Sequence, residues 1–148
     1  MATIVVDDHL LRDVLAGQRA SDLGGLATRL ATTGLWLFRL SSSFANPGVA
    51  GKLSAPVLGL PAEQQARFRA QLVALPAEID VLHLRNVAWP MAELQQRHRA
   101  LGHHLSAAMV EALAAAHELE AGIAVSKDDV GPGLMAAADE DDIAFHAL

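Results

Sequence analysis

The most constraining feature of the sequence is the apolar, β-branched run over residues 3–7, which ends in the acidic pair Asp7-Asp8. The run shows no alternation of apolar and polar residues, a pattern typical of a strand that is buried on both faces. Both faces of a sheet are usually covered only when its strands are parallel and flanked by helices. Helical spacing of apolar residues over 10–15 follows directly, so the chain is predicted to begin as a strand–helix unit.

The rest of the chain continues this interleaving of strands and helices. Apolar runs indicate further strands at 79–84, at 122–126 and, as an alternating edge strand, at 142–148. Helical spacing predicts helices at 21–30, at 61–75, at 87–100 with Pro90 in its first turn, at 105–119 and, after a turn, within 128–138. Residues 33–38 fit either a short strand or the lead-in to a helix, and residues 41–60 are predicted to form a surface loop.

The order of these elements predicts the fold class. Strands that alternate with helices along a chain favour a parallel sheet with helices on both faces. We therefore expect an α/β fold of three layers, with a mostly parallel central sheet flanked by helices and joined by right-handed crossovers. A length of 148 residues is close to the commonest size of one domain, so residues 1–148 are expected to form a single domain.

Composition excludes several classes of protein. The chain has no cysteine, which excludes disulfides, thiolate zinc sites and cysteine nucleophiles. Its net charge is −6, so it lacks the overall basic footprint of a DNA-binding protein. The N-terminus meets acid at residue 7 and has no signal-peptide core, and no uncharged apolar run approaches the ~20 residues of a membrane helix. We expect a cytoplasmic protein without membrane contact.

Two predicted strands end in acidic pairs, Asp7-Asp8 and Asp128-Asp129. Ligands of such sheets bind outside the carboxyl ends of the strands. If the two strands are neighbours, the carboxylates converge there, and carboxylates held close together favour a shared hard cation such as Mg²⁺. A bound divalent ion can activate water against a phosphodiester. The simpler alternative is that both pairs only cap the helices that follow them.

The sequence also resembles a known family at these residues. Its opening strand and the helix after it are similar to the first elements of PIN domains, the fold of VapC-type toxin ribonucleases. The segments that carry the resemblance are Ile4-Val5-Val6-Asp7, Leu105-Ser106-Ala107-Ala108, Val125-Ser126-Lys127-Asp128 and the final 142–148. The element order resembles this family over most of the chain, and the residue pattern does so over 4–15 and 79–148.

The resemblance implies four clustered acids that bind Mg²⁺ or Mn²⁺ and cut RNA, and it suggests an antitoxin-like protein as a partner. Asp7 matches the first acid and Asp128 the last. Arg39 stands about where the second acid is expected, and Met109 stands where the third is expected. Glu111 lies two residues further on, roughly 200° around a helix, and can substitute only if the helix is offset by about half a turn.

Four neighbouring side chains are accessory candidates. Asp8 and Asp129 adjoin the two matched acids. His9 could contact a phosphate or a metal-bound water, or it could be a surface residue on the first helical turn. Arg39 could pair with either matched acid and replace the metal as the neutralising charge, or it could simply be solvated on a helix.

Two functions therefore compete. The first is a PIN-like ribonuclease that depends on Mg²⁺ or Mn²⁺ and has a remodelled active site. The second is a non-catalytic PIN-like module that needs no metal and acts by protein association. The apolar excess of the chain, 52% hydrophobic residues, suggests a homodimer.

Seven histidines raise the question of a zinc site. His98 and His103 are five residues apart, which is off a common helical face, and a glycine lies between them. These two residues and His104 are therefore predicted to be exposed loop residues rather than metal ligands.

Overall fold

The computed structural model describes residues 2–18, 20–27, 29–46 and 51–148. Its five strands are β1 (Thr3–Val6), β2 (Arg29–Thr32), β3 (Ile79–Val81), β4 (Gly122–Val125) and β5 (Phe145–Ala147). They form one sheet in the order β3-β2-β1-β4-β5, and every neighbouring pair is parallel. The opening strand β1 is thus the middle of the sheet, which confirms the predicted α/β fold class.

Within the described ranges, eight helices connect and flank these strands. They are α1 (Asp8–Leu15), α2 (Ala20–Gly24), α3 (Gly34–Ala45), α4 (Ala55–Leu58), α5 (Ala62–Val73), α6 (Leu84–Ala100), α7 (Ala107–Leu119) and α8 (Pro132–Glu140). A 3-10 turn at Lys127–Asp129 follows β4. Across the described ranges, none of the helices combines the length and the apolar character that crossing a membrane requires.

Alternate residues of the central strands point to opposite faces of the sheet and build two cores. Val5 of β1 packs in one core with Ile123 and Val125 of β4, beneath α6, α7 and α8. Ile4 and Val6 pack in the other core, with residues of α1, α4 and α5. Helices therefore cover both faces of β1, which gives the three layers that the non-alternating run predicted.

The sequence pattern missed strand β2. Leu30 was predicted to continue a helix from residue 21, but α2 ends at Gly24 and Leu30 lies opposite Ile4 in the sheet. The Gly24-Gly25 pair explains this outcome, because glycine is among the weakest helix formers. The chain is thereby freed to return to the sheet as a strand of only four residues.

The helix alternative for residues 33–38 is confirmed, and two further helices differ from the prediction. α3 begins directly after β2, at the N-cap Thr33, and extends into the start of the predicted 41–60 loop. α4 lies within the same predicted loop, and residues 47–50 of that loop lie outside the described residues. α6 begins three residues before the predicted position, so Pro90 lies inside the helix rather than in its first turn.

His98 is completely buried, which corrects its prediction as an exposed loop residue. After α6, Gly102 adopts a φ of +84° and turns the chain back, so that Nδ1 of His103 lies 3.0 Å from Nδ1 of His98. Nε2 of His98 lies 3.1 Å from Oδ2 of Asp141, a carboxylate that Arg97 also binds. The sequence pattern did not indicate this cluster because Asp141 is 43 residues from His98 along the chain.

Candidate metal centre

Asp7 lies at the carboxyl end of the central strand and connects three elements. Its backbone N–H donates to the carbonyl of Ala124 in β4 at 3.1 Å. Its carboxylate accepts hydrogen bonds from the backbone N–H of Leu10 in α1, at 2.8 Å, and from that of Ser126, at 2.9 Å. Asp7 is therefore the N-cap of α1 and, at the same time, a fixed carboxylate between the ends of two neighbouring strands.

The buried position of Asp7 makes its carboxyl group hold a proton up to a higher pH than usual. The residue is 2% exposed, and burial raises its pKa from 3.8 to about 6. The two backbone hydrogen bonds lower this pKa and the charge of Asp8 raises it, but burial has the largest effect. Asp7 is thus mostly ionised at neutral pH and mostly protonated at pH 5.

Asp8, the first residue of α1, is completely buried. Its Oδ1 accepts a hydrogen bond from the backbone N–H of His9 at 3.0 Å and lies 2.9 Å from Nδ1 of the His9 ring, a contact that raises the pKa of His9. Its Oδ2 has no hydrogen-bond partner among the described residues. Nε of Arg39 lies 3.2 Å from this oxygen, close enough for an ion pair, but its N–H does not point at it. A buried carboxylate oxygen without a donor is costly, which indicates a position for a cation.

Arg39 of α3 faces Asp8 from the open side of the cluster. Its side chain is 49% exposed, and its Nη2 lies 3.8 Å from Oδ2 of Asp129. The sequence suggested that Arg39 pairs with Asp7 or Asp128. In both acidic pairs the guanidinium instead approaches the second residue, Asp8 in one and Asp129 in the other.

Asp128 is not one of the three residues whose ligand atoms lie within 4.8 Å of one another. Oγ of Ser126 accepts a hydrogen bond from the backbone N–H of Asp128 at 3.2 Å, and the Asp128 side chain is exposed. Within the described ranges, no hydrogen bond or ion pair joins its carboxylate to Asp7. The 3-10 turn instead carries Asp129 towards His9, with 3.7 Å between Oδ2 and Nδ1. A turn of three residues has no recognisable sequence pattern, which is why Asp129 was only an accessory candidate.

Glu111 holds helix α3 rather than the cluster. It is 3% exposed in α7, and its Oε1 accepts a hydrogen bond from the backbone N–H of Leu35 at 2.8 Å. Its negative charge therefore stabilises the positive N-terminal end of the α3 dipole. Thr33 caps the same end by accepting from the backbone N–H of Trp36 at 3.2 Å. Arg39 lies about one turn beyond Leu35 in the same helix. Because Glu111 holds the start of α3, it also helps to position Arg39 beside the acids.

A small pocket of about 100 Å³ opens beside Asp7. It is lined by side chains that include Asp7, Trp36, Arg39, Met109 and Asp129. Met109, where the resemblance places an acid, packs closely against residue 131: a Cβ added to Gly131 would lie 2.4 Å from its terminal methyl carbon. An apolar side chain thus stands at the position where the resemblance implies the third acid. The remaining volume has room for about three waters.

The side chains at this edge of the sheet could hold a metal ion. One ligand atom from each of Asp7, Asp8 and His9 lies within 4.8 Å of the other two. An ionised carboxylate has about four acceptor positions, so Asp7 can bind a cation while it keeps its two backbone hydrogen bonds. The buried Oδ2 of Asp8 is a second indication of a cation site, because this oxygen has no hydrogen-bond donor among the described residues.

Cation binding at this cluster is expected to depend on pH. A ligating carboxylate or imidazole must lose its proton, and the pKa of Asp7 is about 6. Ionisation of Asp7 alone should therefore make Mn²⁺ bind about tenfold more tightly at pH 7 than at pH 5. Calorimetric titration at both values, in buffers of different ionisation enthalpy, measures the affinity and the protons released. An affinity that does not change with pH would mean that Asp7 takes no part in binding.

No model of a known protein family matches this chain, and no curated protein sequence matches it significantly. What the cluster can do is therefore argued from its own residues. It groups two buried carboxylates and one imidazole, and Asp7 and the half-exposed guanidinium of Arg39 also line a small pocket. Such a set suits a ligand that combines a divalent cation with negatively charged oxygens.

Proposed function

We propose that this protein is a PIN-like, metal-dependent ribonuclease with a remodelled active site. The observation that carries this proposal is Oδ2 of Asp8, a buried carboxylate oxygen without a hydrogen-bond partner in the described part of the chain. Arg39 lies 3.2 Å from this oxygen but makes no hydrogen bond to it, so a cation that binds the oxygen directly would replace an incomplete pairing. The resemblance to PIN domains over 4–15 and 79–148 supports RNA as the substrate.

The cofactor in this proposal is Mn²⁺ or Mg²⁺. The carboxylates of Asp7 and Asp8 suit both ions, and the imidazole of His9 favours Mn²⁺. When bound, such an ion supplies a Lewis acid and an activated water at neutral pH. Asp7 and Asp8 hold the cation in this scheme. The contact between Asp8 and Nδ1 of His9 orients the ring, as carboxylates next to metal ligands commonly do.

Cleavage of a mixed RNA panel tests this proposal. The wild type should cleave RNA in Mn²⁺ and lose this activity in EDTA. Asp8→Asn keeps the size of the side chain and removes its charge, so it should lose both cleavage and calorimetric Mn²⁺ binding. Asp139→Asn changes an exposed carboxylate of α8 and should keep both. Cleavage that persists without metal, or no cleavage of any RNA in the panel, contradicts the proposal.

A non-catalytic PIN-like module is the second candidate, and the position of Arg39 favours it. Its guanidinium, 3.2 Å from Oδ2 of Asp8, already supplies a positive charge, and Met109 lines the pocket where an acid was expected. Such a module would act by association with a second copy or with an antitoxin-like protein. Calorimetry with Mn²⁺ separates the two candidate functions, because only the ribonuclease requires Mn²⁺ binding. Light scattering tests whether the protein forms a homodimer.

A further inference from the structure

A metal ion bound to Oδ2 of Asp8 would compete with Arg39 for this oxygen, because two cations so close together repel each other. Nε of Arg39 lies 3.2 Å from this oxygen without a hydrogen bond to it, so a guanidinium occupies the space of a cation without forming the bond that would fix it there. The two partners differ in their freedom to move. The Asp8 side chain is completely buried, whereas that of Arg39 is 49% exposed, so Arg39 can leave without opening the core.

A displaced Arg39 would remain beside the pocket. The N-terminal end of α3 is fixed by Glu111 and Thr33, and Arg39 lies about one turn beyond Leu35. The nearest other acid, Asp129, is also half exposed and lies 3.8 Å from Nη2, so it does not bind the guanidinium tightly. A planar guanidinium at the mouth of a pocket for a cation is well placed to donate two parallel hydrogen bonds to a phosphate.

We propose that Arg39 is a tethered cation, which neutralises Asp8 when no metal is bound and which the metal displaces towards a phosphate of the substrate. The inference rests on the proposed function and adds the regulation of the same site. The metal displaces Arg39 from Asp8. A phosphate that binds Arg39 likewise frees Asp8 to bind the metal. Metal and phosphodiester therefore bind cooperatively, and by linkage each must raise the affinity of the other by the same factor.

Calorimetric titration with Mg²⁺ tests the competition. Arg39→Ala removes the competing cation and should bind Mg²⁺ about tenfold more tightly than the wild type. Arg69→Ala removes the same charge from an exposed position on α5 and should stay within about twofold of the wild type. Equal Mg²⁺ affinity in the wild type and Arg39→Ala overturns the proposal.

Two further measurements distinguish displacement from simple charge repulsion. Mg²⁺ is diamagnetic, so the NMR signal of the Arg39 Nε–H can be followed during the titration, and it should shift as the metal binds. A thymidine pentadeoxynucleotide, whose phosphodiesters lack the 2′-hydroxyl, should raise the Mg²⁺ affinity of the wild type about fivefold and leave that of Arg39→Ala unchanged. An Nε–H signal that does not move, or an oligonucleotide effect that survives in Arg39→Ala, overturns the proposal.

The outcomes also separate this proposal from the catalytic one. If the wild type cleaves RNA in Mn²⁺ but Arg39→Ala binds Mg²⁺ no better, the ribonuclease proposal stands and the tethered cation is refuted. If Mg²⁺ displaces Arg39 and binds cooperatively with the oligonucleotide, but no RNA is cleaved, the tethered cation stands and the ribonuclease proposal fails.

Discussion

Asp141→Ala is expected to lower the free energy of unfolding by about 1.5–3 kcal/mol. The Asp141 carboxylate is 1% exposed, and Arg97 donates to its two oxygens at 2.7 and 2.8 Å. Nε2 of His98 and Nε2 of His117 lie 3.1 and 2.7 Å from its Oδ2. Since an ionised carboxylate only accepts hydrogen bonds, both ring nitrogens must carry protons. Removal of Asp141 would leave the buried imidazole and the guanidinium without their acceptor.

The sign of the pH dependence follows from the pKa of Asp141. Burial acts to raise this pKa, but the hydrogen bonds from Arg97, His117 and His98 outweigh burial and hold the pKa well below its ordinary value of 3.8. A group with a lowered pKa stabilises the fold above its ordinary pKa, and this contribution is lost as the pH falls below it. The effect of Asp141→Ala should therefore be complete at pH 7 and smaller at pH 3.

Urea unfolding at these two pH values measures the effect. Asp139→Ala is the matched control, because it removes an exposed carboxylate two residues away and should change the stability by less than about 0.5 kcal/mol. A loss below about 1 kcal/mol for Asp141→Ala at pH 7 would show that the cluster contributes little in solution. The cluster connects α6, α7 and the end of α8, and α7 also carries Met109 and Glu111 to the candidate metal centre.

The fold could be predicted from the sequence where a strand is buried on both faces. Val5 and Val6 are completely buried, and an apolar run without alternation is the direct sign of such an environment. Strand β2 lacks this sign. Its first residue, Arg29, is exposed and forms a hydrogen bond with Asp80 of β3 across the sheet. The sequence pattern of β2 is therefore partly polar, and the strand has only four residues. Contacts between distant residues, and not local preference, decide its structure.

The candidate metal centre could be predicted as a location but not as a geometry. Asp7 was identifiable because an acid ends a buried strand and precedes a helix. Which acid of each pair faces Arg39 depends on the direction of a single helical or 3-10 residue, and one step along a helix turns a side chain by about 100°. Asp8 and Asp129, rather than Asp7 and Asp128, therefore meet the guanidinium. A sequence pattern does not specify the direction of a side chain around a turn to within this angle.

Asp7→Asn is expected to abolish the pH dependence of stability that Asp7 causes and to weaken metal binding. Because the pKa of Asp7 is raised from 3.8 to about 6, the folded protein binds its proton more tightly than the unfolded chain does. The stability that this proton provides is complete below pH 3.8 and is lost as the pH rises through 6. At 1.36 kcal/mol per pKa unit, the loss is about 3 kcal/mol. Asparagine does not ionise, so without metal the variant should gain about 3 kcal/mol relative to the wild type between pH 3.5 and 7.5.

Mn²⁺ should cancel most of this difference at neutral pH. Loss of the carboxylate should weaken Mn²⁺ binding by at least about 100-fold. Mn²⁺ at about 100 times the wild-type Kd should then stabilise the wild type by about 2.7 kcal/mol and leave the variant nearly unchanged. Urea unfolding in EDTA and in Mn²⁺ measures both effects, and Asp139→Asn should follow the wild type throughout. A variant that Mn²⁺ stabilises as strongly as the wild type would place the metal elsewhere. Helix capping alone does not predict these results, because asparagine caps a helix about as well as aspartate does.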